Sequence, residues 1–335
     1  MKLSCAGIKR RIKSIYNRRL KRSLITVVVP IYNGEKTIGE CLDALLSQTQ
    51  KRIKVICVND GSTDKTLKIL KKYRIRSWKI RIINQENSGR AAARNAGLRV
   101  AKTKYVMFCD DDDKYDMNMC ELMLNAIEDS SADLAICGIK MAYEVHSEMK
   151  KSDDEYYRLK FSGKKDISDD IVLQTDVSVC NKIFRTDIIR ENNIRFPDGL
   201  NNEDFFFCNA YMSVAKTIYF LDRKLYNYIR RKGSIMSDAF DKKTFSIDHL
   251  LVAEQLFYFY RKNGFLEDHK DLFWRQWIAS FWFSYEHSKK EYIDTVNEEA
   301  GVFLDKNFER YLPSEKELIK MKGDIEKTIN NKEVR

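Results

Sequence analysis

The stretch Tyr105-Val106-Met107-Phe108-Cys109-Asp110-Asp111-Asp112-Asp113 joins an apolar run directly to four carboxylates. Such a continuous apolar run is typical of a strand covered by helices on both faces. Two carboxylates about 5 Å apart repel each other by roughly 3 kcal/mol at an effective dielectric of about 20. The four therefore either splay into water or surround a divalent cation, and oxygen-only ligands suit Mg²⁺ or Mn²⁺.

Other apolar runs repeat the pattern, each followed by a polar turn and a segment of helical period. The runs are Leu24–Val29, Ile53–Val58, Ile80–Ile83 and Leu134–Cys137, and the helical segments lie near 35–48, 64–74, 89–101 and 116–129. This alternation predicts an α/β fold with a doubly wound, mostly parallel sheet and helices on both faces. Ligands of such sheets bind at the carboxyl ends of the strands, so the turns after the strands are the candidate sites.

The chain divides by composition into three predicted parts. Residues 1–22 form a basic, amphipathic segment, residues 23–235 a domain that contains the α/β pattern and the candidate turns, and residues 236–335 a helical C-terminal region. Within the second part, the charged residues 146–170 are predicted to form a mobile excursion.

The net charge of +11 is concentrated at the amino terminus. Residues 1–22 carry nine Lys and Arg and no acidic residue, which leaves +2 for the other residues. Ile8, Ile12 and Ile15 share a helical face there, so the segment suits peripheral contact with an anionic membrane as well as it suits a solvated arm. Nucleic acid is not expected as a partner, because no DNA- or RNA-binding motif accompanies the charge.

Composition also limits the kind of protein and its expected location. Gly (13 residues) and Pro (3 residues) are scarce, which favours long helices, and no apolar stretch approaches the roughly 18 residues of a membrane span. The amino terminus lacks a signal-peptide pattern, so a cytoplasmic location is expected, with possible contact at the inner face of the cell membrane. Eight scattered cysteines without metal-binding spacing are expected to be reduced and buried.

Three turns before the acidic one hold candidate binding residues. Tyr32 offers a flat face after the first strand, although Pro30-Ile31-Tyr32-Asn33-Gly34 is also compatible with a plain strand-to-helix turn in which Asn33 caps the helix. Asp60 ends the second strand, where its carboxylate can accept hydrogen bonds from a ligand. Near the next helix start, Arg90 or Arg94 faces either a nucleotide or solvent. No Gly-x-Gly-x-x-Gly or P-loop pattern is present, so dinucleotide and P-loop sites are poorly supported.

Two later segments add candidates. Glu203 and Asp204 begin an aromatic helix, where they either complement the helix dipole or, desolvated beside Phe205–Phe207, supply a general base. Arg231 and Ser234 lie in a basic, glycine-containing segment suited to a diphosphate.

In this order, the motifs resemble those of the inverting, nucleotide-sugar-dependent glycosyltransferases of family 2, which have the GT-A fold. The likeness covers roughly residues 24–235. It rests on Val29 to Asn33, Asn59 to Asp64, Asn87 to Asn95, Asp110 to Asp113, Asn181-Lys182, Glu203-Asp204, and Arg231 with Ser234.

The resemblance implies a donor site at the first four turns. Pro30, Tyr32 and Asp60 would hold the nucleotide base, usually uracil, with help from Asn87 and Arg94. The Asp-x-Asp pair would be Asp110, on ribose or metal, and Asp112, on Mn²⁺ or Mg²⁺, with Asp111 between them in the donor site.

It also implies the groups that perform the transfer. Asp204 would be the catalytic base, with Glu203 as its neighbour and Ser234 in support, and Arg231 would contact the leaving diphosphate.

Two departures from the family pattern shape the functional prediction. The transmembrane helices and the Gln-x-x-Arg-Trp motif of the processive synthases are absent, and Lys114 stands where an aromatic residue often follows the acidic cluster. We therefore expect a metal-dependent, non-processive enzyme that inverts the sugar. It would move a single sugar, from a UDP-sugar in particular, to a hydroxyl of a glycan or lipid-linked acceptor in cell-surface polysaccharide synthesis. The alternative is a non-catalytic nucleotide-sugar-binding module.

Overall fold

The computed structural model describes residues 23–143, 159–230, 243–311 and 313–314. These residues form two compact units. The first comprises the described residues up to Ser168 together with 174–199 and 214–230, and the second comprises 169–173, 200–213 and the described residues from 243 onward. The predicted domain boundaries at 22/23 and 235/236 adjoin or fall in parts outside this description and stay predictions.

A nine-stranded sheet organises the first unit. Its strands are β1 (Ile25–Ile31), β2 (Ile53–Asp60), β3 (Ile80–Gln85), β4 (Tyr105–Phe108), β5 (Lys114–Tyr115), β6 (Leu134–Tyr143), β7 (Gly163–Asp166), β8 (Lys182–Arg185) and β9 (Thr217–Arg230). The spatial order is β3-β2-β1-β4-β8-β6-β9-β5, with β7 also paired to β9. Strands β1 to β4 are mutually parallel, and β8 joins them antiparallel to β4.

The helices of the first unit connect these strands. They are α1 (Ile38–Leu46), α2 (Thr66–Arg76), α3 (Gly89–Val100), α4 (Met119–Ser130) and α6 (Thr186–Glu191). Helix α5 (Asp169–Gln174) lies between β7 and β8 in the sequence but belongs, except for Gln174, to the second unit. Helix α3 packs closely on β1, because a Cβ added at Gly97 would come within 2.3 Å of Val28 Cγ1. The buried Ala91 and Ala93 belong to the same helix.

The second unit is helical. Its helices, besides most of α5, are α7 (Glu203–Met212), α8 (Lys243–Lys262), α9 (Leu266–His287) and α10 (Ile293–Asn307). Aromatic side chains fill its core: the Phe257 ring lies 5.1 Å from Phe273 and 5.3 Å from Phe303, measured between centroids. The apolar faces of these helices are therefore buried against one another.

The predicted α/β class, the five strands and the helical C-terminal region are confirmed over the described residues. One detail differs: residues 146–170, which were expected to form a mobile excursion, include β7 at 163–166. The seven described cysteines are buried and none of them is in a disulfide, as expected. Within the described residues, no helix is both long and apolar enough to cross a bilayer.

Candidate active site

The turns after β1, β2 and β4 lie side by side. Strand β1 lies between the other two, with Ile31 opposite Asn59 and Val28 opposite Phe108. Because all three strands are parallel, their carboxyl ends meet at one edge of the sheet. The structure thus brings together the turns that hold Tyr32, Asp60 and Asp110.

Asp60 links the second turn to the third. Its buried carboxylate accepts hydrogen bonds from Gln85 Nε2 at 2.7 Å and from the backbone N–H groups of Ser88 and Gly89 at 3.0 and 2.9 Å. These amides begin α3, so the carboxylate also complements that helix's dipole. Its oxygens therefore orient the turn that carries the exposed Asn87.

Glycine at position 61 allows the second and third turns to lie close together. Gly61 has φ +71°, and a Cβ there would lie 2.6 Å from the backbone nitrogen of Asn87. Both the left-handed conformation and the short distance favour glycine. The predicted neighbours Asp60 and Asn87 accordingly belong to one surface.

The first turn is held to the second by reciprocal hydrogen bonds. The Asn33 N–H donates to Ser62 Oγ, and the Thr63 N–H donates to Asn33 Oδ1, both at 2.9 Å. Contrary to the prediction, Asn33 does not cap the following helix, because α1 begins only at Ile38. Pro30 is buried inside β1, whereas the Tyr32 side chain is 51% exposed and available for stacking.

The four aspartates of the acidic turn have different surroundings. Asp110 accepts a hydrogen bond from Arg94 Nη2 at 2.8 Å. Arg94 is buried, at 1% exposed, so of the two alternatives left open for this arginine, exposure to solvent is wrong. Asp113 turns inward, where it accepts hydrogen bonds from Tyr226 Oη at 2.5 Å and from the Ile229 N–H at 2.8 Å.

Asp111 points toward the first turn. Its Oδ2 lies 3.4 Å from Thr37 Oγ1 and would be 2.1 Å from a Cβ at Gly34. Burial, followed by the charges of Asp112 and Asp110, raises the pKa of Asp111 to about 7. The turn therefore holds more negative charge than its own surroundings stabilise.

These residues fit a divalent cation. Asp110 and Asp112 supply only oxygen ligands, and the raised pKa of Asp111 shows that added positive charge there would be stabilising. No group of three or more potential ligands occurs within the described part of the chain. One or two carboxylates, with substrate phosphates completing the shell, are nevertheless the usual set for Mg²⁺.

Glu203 and Asp204 form the first turn of α7 in the second unit. Glu203 is buried and Asp204 partly buried. The preceding Asn202 has φ 62°, a left-handed conformation that asparagine tolerates. The segment is fastened to α8, because Asp248 Oδ2 accepts from the Asn201 N–H and the Asn202 amide contacts His249 Nδ1, both at 3.0 Å.

Comparison with known proteins identifies the family. Residues 26–192 match the sequence model of "Glycosyl transferase family 2". Over 234 residues the chain is 31% identical to "Glycosyltransferase GlyG" of Streptococcus pneumoniae, covering 65% of this chain and 74% of that protein. The chain belongs to glycosyltransferase family 2. It spans less of some other relatives, including 42% of the Staphylococcus aureus "Poly(ribitol-phosphate) beta-N-acetylglucosaminyltransferase TarS".

Solved structures agree with the GT-A fold of this family 2 glycosyltransferase. A crystal structure of S. aureus TarS residues 1–349 with UDP-GlcNAc has a TM-score of 0.59 at 24% identity, covering 82% of this chain and 83% of that one. The mannosyltransferase PcManGT of Pyrobaculum calidifontis, solved with GDP-Man and Mn²⁺, has a TM-score of 0.52 at 15% identity, covering 93% and 92%. The family assignment favours the catalytic interpretation over a non-catalytic binding module.

Sequence reasoning missed several polar contacts within each of the two units. Nothing in the α8 pattern distinguished Asp248 and His249, whose partners are remote in sequence. Lys182, which belongs to a motif of the resemblance, is buried and paired with Asp176 Oδ1 at 3.0 Å, and the sequence did not indicate this partner. Arg231 and Ser234 lie outside the described residues, and their roles stay predictions.

Proposed function

We propose that this family 2 glycosyltransferase moves one hexose from a nucleotide-sugar, specifically a UDP-sugar, to an acceptor hydroxyl with inversion. The observation that carries the proposal is the Arg94–Asp110 pair at the edge where the Tyr32, Asp60 and Asp110 turns meet. A buried arginine that fixes one carboxylate of an otherwise crowded acidic turn is expected of a site that binds a charged donor.

The nucleotide would bind across the first three turns. Tyr32 would stack on the base beside Pro30, while Asp60 and Asn87 would supply the polar contacts. Because Asp60 already accepts three hydrogen bonds, we assign it the additional role of holding the Asn87 turn in position. Arg94 would act through Asp110 rather than on the base. The UDP-GlcNAc bound to TarS supports a UDP-sugar.

Mn²⁺ or Mg²⁺ would be held by Asp112 and Asp110, with Asp111 adjoining the donor. When bound, such an ion offsets the charge that grows on the departing diphosphate. The Mn²⁺ in PcManGT supports this assignment. Arg231 would contact the same diphosphate, with Ser234 nearby.

Asp204 would take the proton of the acceptor hydroxyl. The hydroxyl oxygen attacks the anomeric carbon from the face opposite the leaving diphosphate, so its configuration inverts in a single displacement. Glu203 and the hydrogen bonds from Asn201 and Asn202 to α8 would orient the first turn of α7. The acceptor would be a glycan or lipid-linked acceptor of the cell surface, reached from the cytoplasmic side of the membrane. The poly(ribitol-phosphate) in the name of TarS supports a polymer that carries hydroxyl groups as the acceptor.

The test begins with donor binding. We would measure thermal stability against a panel of UDP- and GDP-sugars with Mn²⁺ or with a chelator, since a ligand that binds only the folded state raises its stability. A UDP-sugar should stabilise the protein only with the metal, and Asp112→Asn should abolish that effect. Asp129→Asn, at an exposed position of α4, is the matched control.

Turnover is tested separately. Asp204→Asn should lower transfer by about a thousandfold or more while donor and metal still stabilise the protein. Nuclear magnetic resonance of the product should show the inverted anomer. Full transfer by Asp204→Asn, or metal-dependent donor binding without turnover on a broad acceptor panel, would contradict the proposal.

A further inference from the structure

Helix α2 and the start of β3 carry a concentration of positive charge. Residues 65–81 contain eight Lys and Arg and no Asp or Glu, so the remainder of residues 23–335 is net −6. Although the net charge of residues 23–335 is close to zero, these residues therefore include one strongly basic segment, residues 65–81. Lys68, Lys71, Lys72 and Arg74 are exposed on it.

The end of this segment lies at the amino ends of the strands. Helix α2 starts after the carboxyl end of β2 and returns the chain to the amino end of β3, as a parallel crossover requires. Ile75, Trp78 and Lys79 therefore lie at the end of the sheet opposite Asp60. Lys51 and Arg52, which precede β2, lie at that same end.

The cations crowd one another. Burial, then the charges of Arg74 and Arg81, lowers the pKa of Lys54 to about 8. Burial and the charge of Lys51 lower the pKa of Lys79. Over the residues that the structure describes, no ion pair joins any of the eight cations of 65–81 to a carboxylate. Their mutual repulsion would be relieved by an anionic surface.

Two apolar side chains project among these cations. Ile75 is 87% exposed and Trp78 is 37% exposed. The buried Leu70 already packs the other side of the helix, so the fold does not use Ile75. Trp78 is held in place by Lys54, whose Nζ donates to the Trp78 carbonyl at 2.9 Å.

We propose that this basic face, made of Lys68, Lys71, Lys72, Arg74, Ile75 and Trp78, docks on an anionic lipid bilayer. Cations interspersed with an exposed aliphatic residue and a tryptophan match lipid phosphates above an acyl layer. A soluble polyanion would pair with the cations of this face but would leave the Ile75 side chain in water. It therefore matches the face less completely than a bilayer does. The face is separate from the donor site and does not depend on the proposed function.

The described chain begins beside this face. The Leu24 N–H donates to the Arg52 carbonyl at 2.7 Å, so the first described residues lie at the amino end of β2, the same end of the sheet at which α2 finishes. The donor-site turns lie at the other end, about 25 Å away along the eight residues of β2. Lys68 lies in the first turn of α2, nearer the donor-site turns, so docking through the Arg74, Ile75 and Trp78 end of the basic face leaves the donor site clear of the bilayer.

The experiment is co-sedimentation of the full chain with vesicles. Vesicles of equimolar phosphatidylglycerol and phosphatidylcholine are compared with vesicles of phosphatidylcholine alone. The triple variant Lys71→Gln, Lys72→Gln, Arg74→Gln should bind the anionic vesicles about a hundredfold more weakly, at about fivefold per cation. The control removes equal charge at Lys140, Lys165 and Lys216, exposed near the other end of the strand order, and should change binding by about twofold or less.

A second variant separates a bilayer from a soluble polyanion. Ile75→Ser should weaken vesicle binding by about tenfold, because it removes an apolar side chain from the interface. Met117→Ser, at a residue 64% exposed in the same unit, should not. Equal vesicle binding by the triple variant and its control would overturn the proposal. So would an unchanged Ile75→Ser variant whose vesicle binding is displaced by soluble polyphosphate. Neither measurement uses a sugar donor or acceptor.

Discussion

Arg94 donates from Nη2 to Oδ1 of Asp110 over 2.8 Å, and it does so from a fully buried position. Its guanidinium also lies 5.3 Å from the centre of the Phe196 ring. The cation is thus fixed by packing, and the orientation of Asp110 is set before any donor arrives. We expect Arg94 to be a positioning residue for the acidic turn.

Replacing Arg94 by Met should impair both fold and donor use. Arg94 is buried but its partner Asp110 is 25% exposed, so removing the arginine should cost about 1–3 kcal/mol of stability. Loss of a residue that orients a metal ligand typically costs about 10- to 100-fold in affinity or activity. We expect the KM for the donor to rise by a factor in that range. Arg99→Met, at an exposed position of the same helix, should leave KM unchanged. Donor kinetics and urea unfolding check the two effects, and equal kinetics of the two variants would contradict the assignment.

Gly34 is predicted to be required by the Asp111 carboxylate. In a Gly34→Ala variant the new Cβ would lie 2.1 Å from Asp111 Oδ2 and 3.1 Å from Ile31 Cγ2. Asp111 must therefore move, and the acidic turn with it. We expect metal-dependent donor affinity to fall by about tenfold or more, measured by calorimetry.

The same substitution five residues later provides the control. A Cβ at Gly39 would meet only Tyr73 Oη, at 3.7 Å, which is ordinary contact. Because Gly39 lies inside α1, Gly39→Ala should raise stability by about 0.5–1 kcal/mol and leave donor affinity unchanged. Equal donor affinity of the two variants would show that the Asp111 position is not constrained by Gly34.

The sequence predicted the sheet and three of the donor-site turns because these depend on local patterns. Continuous apolar runs and the polar residues that follow them are visible without any knowledge of remote contacts. The parallel register then brings Asp60 and Asp110 to one edge as a necessary consequence. From the sequence, Arg90 and Arg94 could both be placed near this edge. Which of the two is buried depends on the face that α3 turns toward the sheet, and the sequence did not show this.

Contacts between distant segments could not be predicted in this way. The bonds of Asn201 and Asn202 to Asp248 and His249 join residues 47 apart, in a region where the sequence offered only helical periodicity. Asn33 was expected to cap a helix because it is a good capping residue. Its amide instead bonds the second turn, which is nearer in space than in sequence.

His249 should make stability depend on pH. Burial, followed by the charge of His287, lowers its pKa from 6.5 to about 4. The unfolded state therefore binds more protons between these values, so about 3 kcal/mol of unfolding free energy should be lost as pH falls from 6.5 to 4. His249→Gln should remove most of that dependence, measured by urea unfolding at several pH values. His287→Gln removes only the smaller of the two causes of the lowered pKa, so most of the pH dependence should remain.

Glu254 should show the opposite sign. Burial, then the charge of Glu299 on α10, raises its pKa from 4.5 to about 7, and Lys306 opposes the shift. The folded state then holds the proton more tightly, so this carboxyl makes folding less favourable as pH rises from 4.5 to 7, and the full cost remains above 7. Glu254→Gln should therefore increase the free energy of unfolding at pH 8 much more than at pH 5, as measured by urea unfolding. Glu298→Gln, at an exposed position of α10, changes charge without relieving burial and should show no such difference. An equal effect of Glu254→Gln at both pH values would mean that the carboxylate is already stabilised between α8 and α10.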